Sequence, residues 1–198
     1  MNSLIRAEWK KITGNTRLMI SLVWIFPIMT AIALSIGIVI SLFSDGFGAF
    51  MGKSEWTNDI ISIWGLINSF PGNIFTRLPI IAFMAMVFAG EYEWGTWKNV
   101  VPRNSRYNLI FAKLITLVAI VMMSLLITSV IAVLMQYLAH LIEGISYGPK
   151  FTADIALDTF RTYLIEAALT AYSLLLLGTF TAISAMLTRS VVGSLLLS

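Results

Sequence analysis

From Leu18 to Ser44 the chain carries no charged side chain, an uninterrupted run of about 27 residues. A bilayer core about 30 Å thick needs about 20 residues of helix, so this run is long enough to cross one. Arg6, Lys10 and Lys11 precede it, as basic residues precede a signal-peptide core. The run is too long for such a core and no small-residue cleavage site follows, so the sequence predicts a retained span. The rest of the chain agrees: 58% of its residues are hydrophobic and 12% charged, against about 25% charged in an average soluble domain. A soluble fold of 198 residues has too little interior to hide that apolar surface. The predicted class is therefore an all-α, polytopic membrane protein.

Four complete spans are expected, over about 18–43, 70–90, 109–141 and 163–188, all in one transmembrane domain over residues 1–198. A fifth apolar run begins near 190, and nine residues of helix cover only about 13 Å. The pattern thus leads one to expect a longer protein, of which this chain is a part. Orientation follows from Lys and Arg, which favour cytoplasmic flanks. Arg6, Lys10, Lys11, Arg17, Lys98, Arg103, Arg106, Lys113 and Arg189 fall on one side, and Lys53, Arg77, Lys150 and Arg161 on the other. The N-terminus and the loop over 91–108 are accordingly expected in the cytoplasm. The net charge of +3 then reports topology and not nucleic-acid binding.

Two surface helices are expected beside the spans. In residues 1–17, Ile5, Trp9 and Ile12 recur at i, i+4 and i+7, while Arg6 and Lys10 point elsewhere, the pattern of an interfacial helix. On the other side, Thr57 can cap a helix whose Ile60, Ile63, Trp64 and Ile67 share a face, ended by Pro71 and Gly72, at the outer interface.

Catalytic chemistry finds little material. The chain has one histidine, His140, and no cysteine, so no His or thiolate cluster can hold a metal. No GxxxxGK phosphate loop is present, which excludes ATP binding by that route. The chain itself is therefore expected to lack catalytic, metal and cofactor sites. Intramembrane charge is a different matter, because it is expensive there. Arg77 lies beside Pro79 in the second span and Glu166 near the start of the fourth. Either Arg77 snorkels to the outer headgroups, or it faces a polar cavity and pairs with Glu166.

The segment from Gly90 to Leu114 is the remaining polar interruption. Gly95 suits a sharp exit from the second span, and Thr96 or Glu93 can satisfy free N–H groups of a short helix. Trp97, Val100 and Val101 give that helix an apolar side, and Pro102 ends it. Glu91, Glu93, Gly95, Thr96, Pro102, Ser105, Arg106 and Lys113 together resemble the first cytoplasmic loop of the type-2 ATP-binding-cassette permeases, departing from its pattern at Arg103-Asn104. The N-terminal Ala-Glu-Trp-Lys-Lys helix is similar to the same family's connecting helix. The resemblance implies six spans in the intact protein and a membrane subunit of an exporter in a prokaryotic plasma membrane. It implies a separate ATPase partner carrying ATP and magnesium, a second permease subunit, identical or not, and a surround of membrane lipid. The 91–108 loop, with Trp97, Val100 and Val101 at its centre, would then be the element that couples to the ATPase. A membrane scaffold or a membrane enzyme without an ATPase partner is the alternative.

Overall fold

The computed structural model describes residues 2–43, 54–68, 74–93 and 106–197, omitting side chains at 2, 74, 75, 91–93 and 106. Every regular element among them is helical. In order they are α1 (Asn2–Gly14), α2 (Thr16–Leu18), a π-helical turn (Met19–Val23), α3 (Ile25–Ser41), α4 (Trp56–Asn68), α5 (Ile74–Glu93), α6 (Arg106–Glu143), α7 (Ala153–Thr188) and α8 (Val191–Leu197). They form two compact units. The first is drawn from residues 1–24, 70–122 and 171–198, the second from 25–69 and 123–170. The all-α membrane class is thereby confirmed.

Two helices, α6 and α7, are long and apolar enough to cross a membrane, and the bent pair Thr16–Val23 and Ile25–Ser41 passes the same test if it is one span. The apolar part of α5, Thr76–Gly90, is shorter. The break in the charge-free run has a local cause. Pro27 has no N–H to give the carbonyl four residues back, at Val23. The Trp24 N–H instead reaches the Met19 carbonyl at 2.9 Å, five residues back, and closes the π turn. Upstream, Asn15 separates α1 from α2, its side-chain oxygen accepting from the Leu18 N–H at 3.3 Å.

In the first unit the core lies along α5 and the first half of α6. Ile80, Phe83, Met84 and Phe88 are buried on one, and Leu109, Ala112, Leu117 and Val121 on the other. These positions recur every three or four residues, the spacing of one helix face. The second half of α7 joins them through small residues. A Cβ at Gly178 would lie 2.8 Å from Leu114 Cδ2, so α7 approaches α6 closely enough here that any larger residue would make the Leu114 side chain move. Helix α8 packs against α5, and its buried Ser194 donates to the Thr181 carbonyl at 3.2 Å.

The second unit is built on α4, the first half of α7 and the second half of α6. Helix α4 begins at Trp56, where the Glu55 carbonyl accepts from the Asn58 and Asp59 N–H groups at 3.0 and 2.9 Å; Thr57, expected as the cap, is already inside it. Ile63, Trp64 and Ile67 are buried as one face, and the Trp64 ring meets Tyr163 edge-on at 5.4 Å. That face is therefore packed on protein and not laid on headgroups. Helix α6 ends in a left-handed Gly144 (φ 68°), with the Ile145 N–H returning to the His140 carbonyl. Helix α7 starts at Ala153, well before the expected Tyr163, and its first turns carry Asp154, Asp158 and Arg161. Outside both cores, Ile28, Ile32, Ile36, Leu134, Leu169 and Phe180 are exposed, an apolar exterior that suits lipid.

Candidate functional site

The most constrained charged group of the first unit is Lys113, about two turns into α6 and 1% exposed. Its Nζ lies 2.8 Å from Glu8 Oε2 of α1, and the Glu8 side chain is itself only 8% exposed. Two desolvated charges are tolerable only as a close pair, because each alone would cost several kcal/mol. The contact thus fixes α1 to the start of α6, just after the 91–108 loop. It also sets which face of α1 is buried. Glu8 and Ile12, one turn apart, are enclosed, whereas Ile5 and Trp9 are half-exposed and Arg6 and Lys10 exposed. Sequence reasoning expected the ridge Ile5–Trp9–Ile12 and missed Glu8. A signal was available: Lys113 is a charge inside an apolar helix and requires a partner, and Glu8 is the one acid in a basic flank.

Two cavities lie between α1, α2 and α5, the smaller of them against this pair. One, of about 60 Å³, is lined by Glu8, Lys11, Ile12 and Lys113 with Met86 and Val87 of α5. The other, of about 480 Å³, is lined by Arg17, Ser21, Gly90 and Val191. Asn15, Leu18 and Met86 belong to both.

In the second unit the polar groups form two clusters. Asn68 Nδ2 donates to Glu166 Oε2 at 2.6 Å and to the Glu166 carbonyl at 3.3 Å, while buried Thr170 donates to Asn68 Oδ1 at 3.0 Å. Glu166 thus has Asn68 as a partner. Arg77, its other candidate, is half-buried near the start of α5 in the first unit. The other cluster joins Tyr147 Oη, which donates to Asp59 Oδ2 at 2.8 Å, with the His140 ring, 4.6 Å from that of Tyr147. Burial pushes the Asp59 carboxyl above its ordinary 3.8, although hydrogen bonds from Tyr147 and Ser54 pull it down. Burial, and then the neighbouring Asp59, push the Tyr147 hydroxyl far above its usual range. His140 Nδ1 is 2.8 Å from the Gln136 carbonyl, so Nδ1 carries a proton. None of this resembles a catalytic constellation, and among the described residues no three His, Cys, Asp or Glu side chains group as a metal site.

The loop residues expected to couple to a partner lie largely outside the described residues: Gly95, Thr96, Trp97, Val100, Val101, Pro102 and Ser105 do so entirely. Glu91 and Glu93 are in the last turn of α5 and Arg106 is the first residue of α6, so helices bound the loop on both sides. Nothing among curated proteins or solved structures matches the chain. The family described as ABC-2 family transporter protein matches it over residues 4–198. A membrane-spanning helical chain matched over nearly its whole length belongs to that family, and is a permease component of an ABC transporter.

Proposed function

We propose that this chain is the membrane-spanning subunit of an ATP-driven exporter in a prokaryotic plasma membrane, driven by a separate ATPase subunit that brings ATP and magnesium. Four spans cross the bilayer and a fifth begins near 190, with residues 1–17, the 91–108 loop and Arg189 in the cytoplasm. Two permease subunits, identical or different, flank the path. The observation that carries the reading is the loop itself. In a chain of this family, the sequence between α5 and α6 holds Gly95, the apolar Trp97, Val100 and Val101, and Pro102. The Glu8–Lys113 pair supports it further, because it ties α1 to the helix that leaves the loop. A displacement of the loop on ATP binding would then reach α5, α6 and α1 together. Coupling of this kind is limited by the difference in docking energy between the two ATPase states.

The test is to truncate the apolar side. Trp97→Ala removes an aromatic anchor, expected to cost about 2 kcal/mol or more, roughly thirtyfold in ATPase affinity. Membrane insertion persists, while ATPase co-purification, ATPase stimulation and transport fall together. If Trp97→Ala and Val100→Asp both leave the ATPase bound and transport intact, the loop is an interfacial anchor and the coupling reading fails. Single cysteines at Ser54 and Ser105 label from opposite sides with a membrane-impermeant thiol reagent; labelling of both from one side overturns the topology.

A further inference from the structure

A groove of about 550 Å³ opens between the first turns of α4 and α7 in the second unit, within the roughly 300–1,000 Å³ typical of small-molecule sites. Its third wall is the connector between α6 and α7, and that wall is held in place. Trp56 Nε1 donates to the Pro149 carbonyl at 3.0 Å, the Trp56 and Phe151 rings lie 5.8 Å apart, and Tyr147 donates to Asp59. Gly148, at φ 75°, sits where a Cβ would lie 3.1 Å from Glu55 Cβ, so the connector lies close against the start of α4.

The acidic side of the groove is on α7. Asp154 and Asp158 both line it, on exposed positions one turn apart, about 6 Å along the helix axis. Neither carboxylate makes an ion pair among the described residues, and Lys150 and Arg161, the cations nearest in the sequence, do not line the groove. Thr159 lines it too, is 9% exposed, and its hydroxyl has no hydrogen-bond partner among the described residues. Its neighbours on the helix differ: Thr162 and Thr170 return their hydroxyls to the carbonyls of Asp158 and Glu166, four residues back. A buried hydroxyl with no partner has lost its hydration without compensation, which points to a polar group received by the groove. Thr57 and Asn58 of α4 add a second hydroxyl and an amide, while Ile61, Ile155 and Pro149 supply apolar surface. A metal ion fits these residues poorly, because among the described residues no three His, Cys, Asp or Glu side chains converge and the groove is far larger than an ion. A neutral hydrocarbon would cover the apolar surface and strip water from the carboxylates. Methylenes carrying ammonium groups at intervals satisfy both.

We propose that this groove binds a small linear polyamine. Two ammonium groups pair with Asp154 and Asp158, the methylenes between them lie on Ile61, Ile155 and Pro149, and the Thr159 hydroxyl accepts a hydrogen bond from an amine. In the orientation proposed above the groove opens on the outer face. The inference itself rests on the second unit alone, and it stands whether or not the 91–108 loop docks an ATPase.

The test is isothermal titration of the purified full chain with spermidine, in a neutral detergent at low salt. Saturable binding at one site is expected, and butylamine, with one ammonium group, binds at least tenfold more weakly; this comparison needs no variant. Asp154→Asn with Asp158→Asn weakens spermidine binding about tenfold, a few-fold for each exposed carboxylate. Thr159→Val weakens it severalfold yet leaves thermal stability unchanged or raised, because a methyl replaces a hydroxyl that has no partner. Ile61→Trp fills the groove without altering charge and also lowers affinity. The control is Glu55→Gln, which removes an exposed carboxylate outside the groove and leaves binding intact. Equal binding of butylamine, an equal loss in Glu55→Gln, or full displacement by equimolar magnesium reduces the effect to diffuse acidic surface and overturns the proposal. So does an unaffected Ile61→Trp, or a loss of stability in Thr159→Val, which would show a hydroxyl already satisfied within the fold.

Discussion

Removing one member of the Glu8–Lys113 pair tests whether α1 is a structural part of the membrane domain or a loosely attached flank. The side chains are 8% and 1% exposed and 2.8 Å apart, so solvent screens the interaction little and removing either side chain takes a close opposite charge from the other. Glu8→Leu leaves a buried ammonium, and Lys113→Met leaves a buried carboxylate. Each is expected to cost about 3–5 kcal/mol, the usual penalty for removing one member of a buried ion pair. The double variant removes both charges and keeps apolar volume, so it should lie within about 1 kcal/mol of the native chain or above it. The resulting coupling energy exceeds about 2 kcal/mol. Unfolding in mild detergent, followed by tryptophan fluorescence with increasing dodecyl sulfate, measures all four proteins under one condition. If each single change costs less than about 1 kcal/mol, as at exposed pairs, or if the two costs simply add, the pair is not buried as described.

Gly178→Ala places a methyl 2.8 Å from Leu114 Cδ2, so the Leu114 side chain must shift, and the change should cost up to about 1 kcal/mol in the same assay, with Leu114→Ala in the same chain removing the clash; a cost that Leu114→Ala leaves unchanged would mean that the methyl meets something other than Leu114. Asn68→Ala withdraws a 2.6 Å hydrogen bond from the Glu166 carboxylate and is expected to cost about 1.5–3 kcal/mol, a figure that Glu166→Gln should reduce and that a neutral outcome would refute. Asp59 binds its proton more tightly folded than unfolded, so stability falls as pH rises from about 3.8 through its raised folded value and is level above it. Asp59→Asn should abolish that slope in urea or thermal titrations, and a slope that survives the change would have another source.

The all-α class was legible because a bilayer imposes one rule on every backbone group, and charge-free runs of sufficient length satisfy it only as helices. Boundaries were less legible. Hydropathy stops where polar side chains begin, yet α7 continues outward through Asp154, Asp158 and Arg161, because backbone hydrogen bonding is indifferent to whether the exposed face is wet. The π turn before Pro27 was likewise hidden in a run that reads as one span. Apolarity records which solvent a segment prefers, whereas the path of the chain is decided by single residues: a proline without its N–H, an asparagine that caps, a glycine that turns left-handed.

The candidate site shows the same division more sharply. A periodic apolar face is a sound guide when burial is driven by hydrophobic area, and it found Ile12 of α1 and Ile63, Trp64 and Ile67 of α4. It failed for Glu8 because periodicity counts a carboxylate as solvent-seeking, while a buried carboxylate with a cation 2.8 Å away is satisfied. Only the residue 105 positions later explains Glu8, and no window of neighbouring sequence contains that information. The reverse search is the productive one in a membrane chain. Each charge lodged in an apolar helix demands a partner, and the segments free to supply it are the short polar ones beside the spans. Applied to Lys113, that rule points to the few acids near it in the sequence or in the polar flanks, and Glu8 is one that the fold brings to it. The pairing carries a mechanical consequence. Because the pair joins α1 to the helix that leaves the 91–108 loop, a shift of that helix along its axis must either carry α1 with it or separate two charges that are largely withdrawn from solvent.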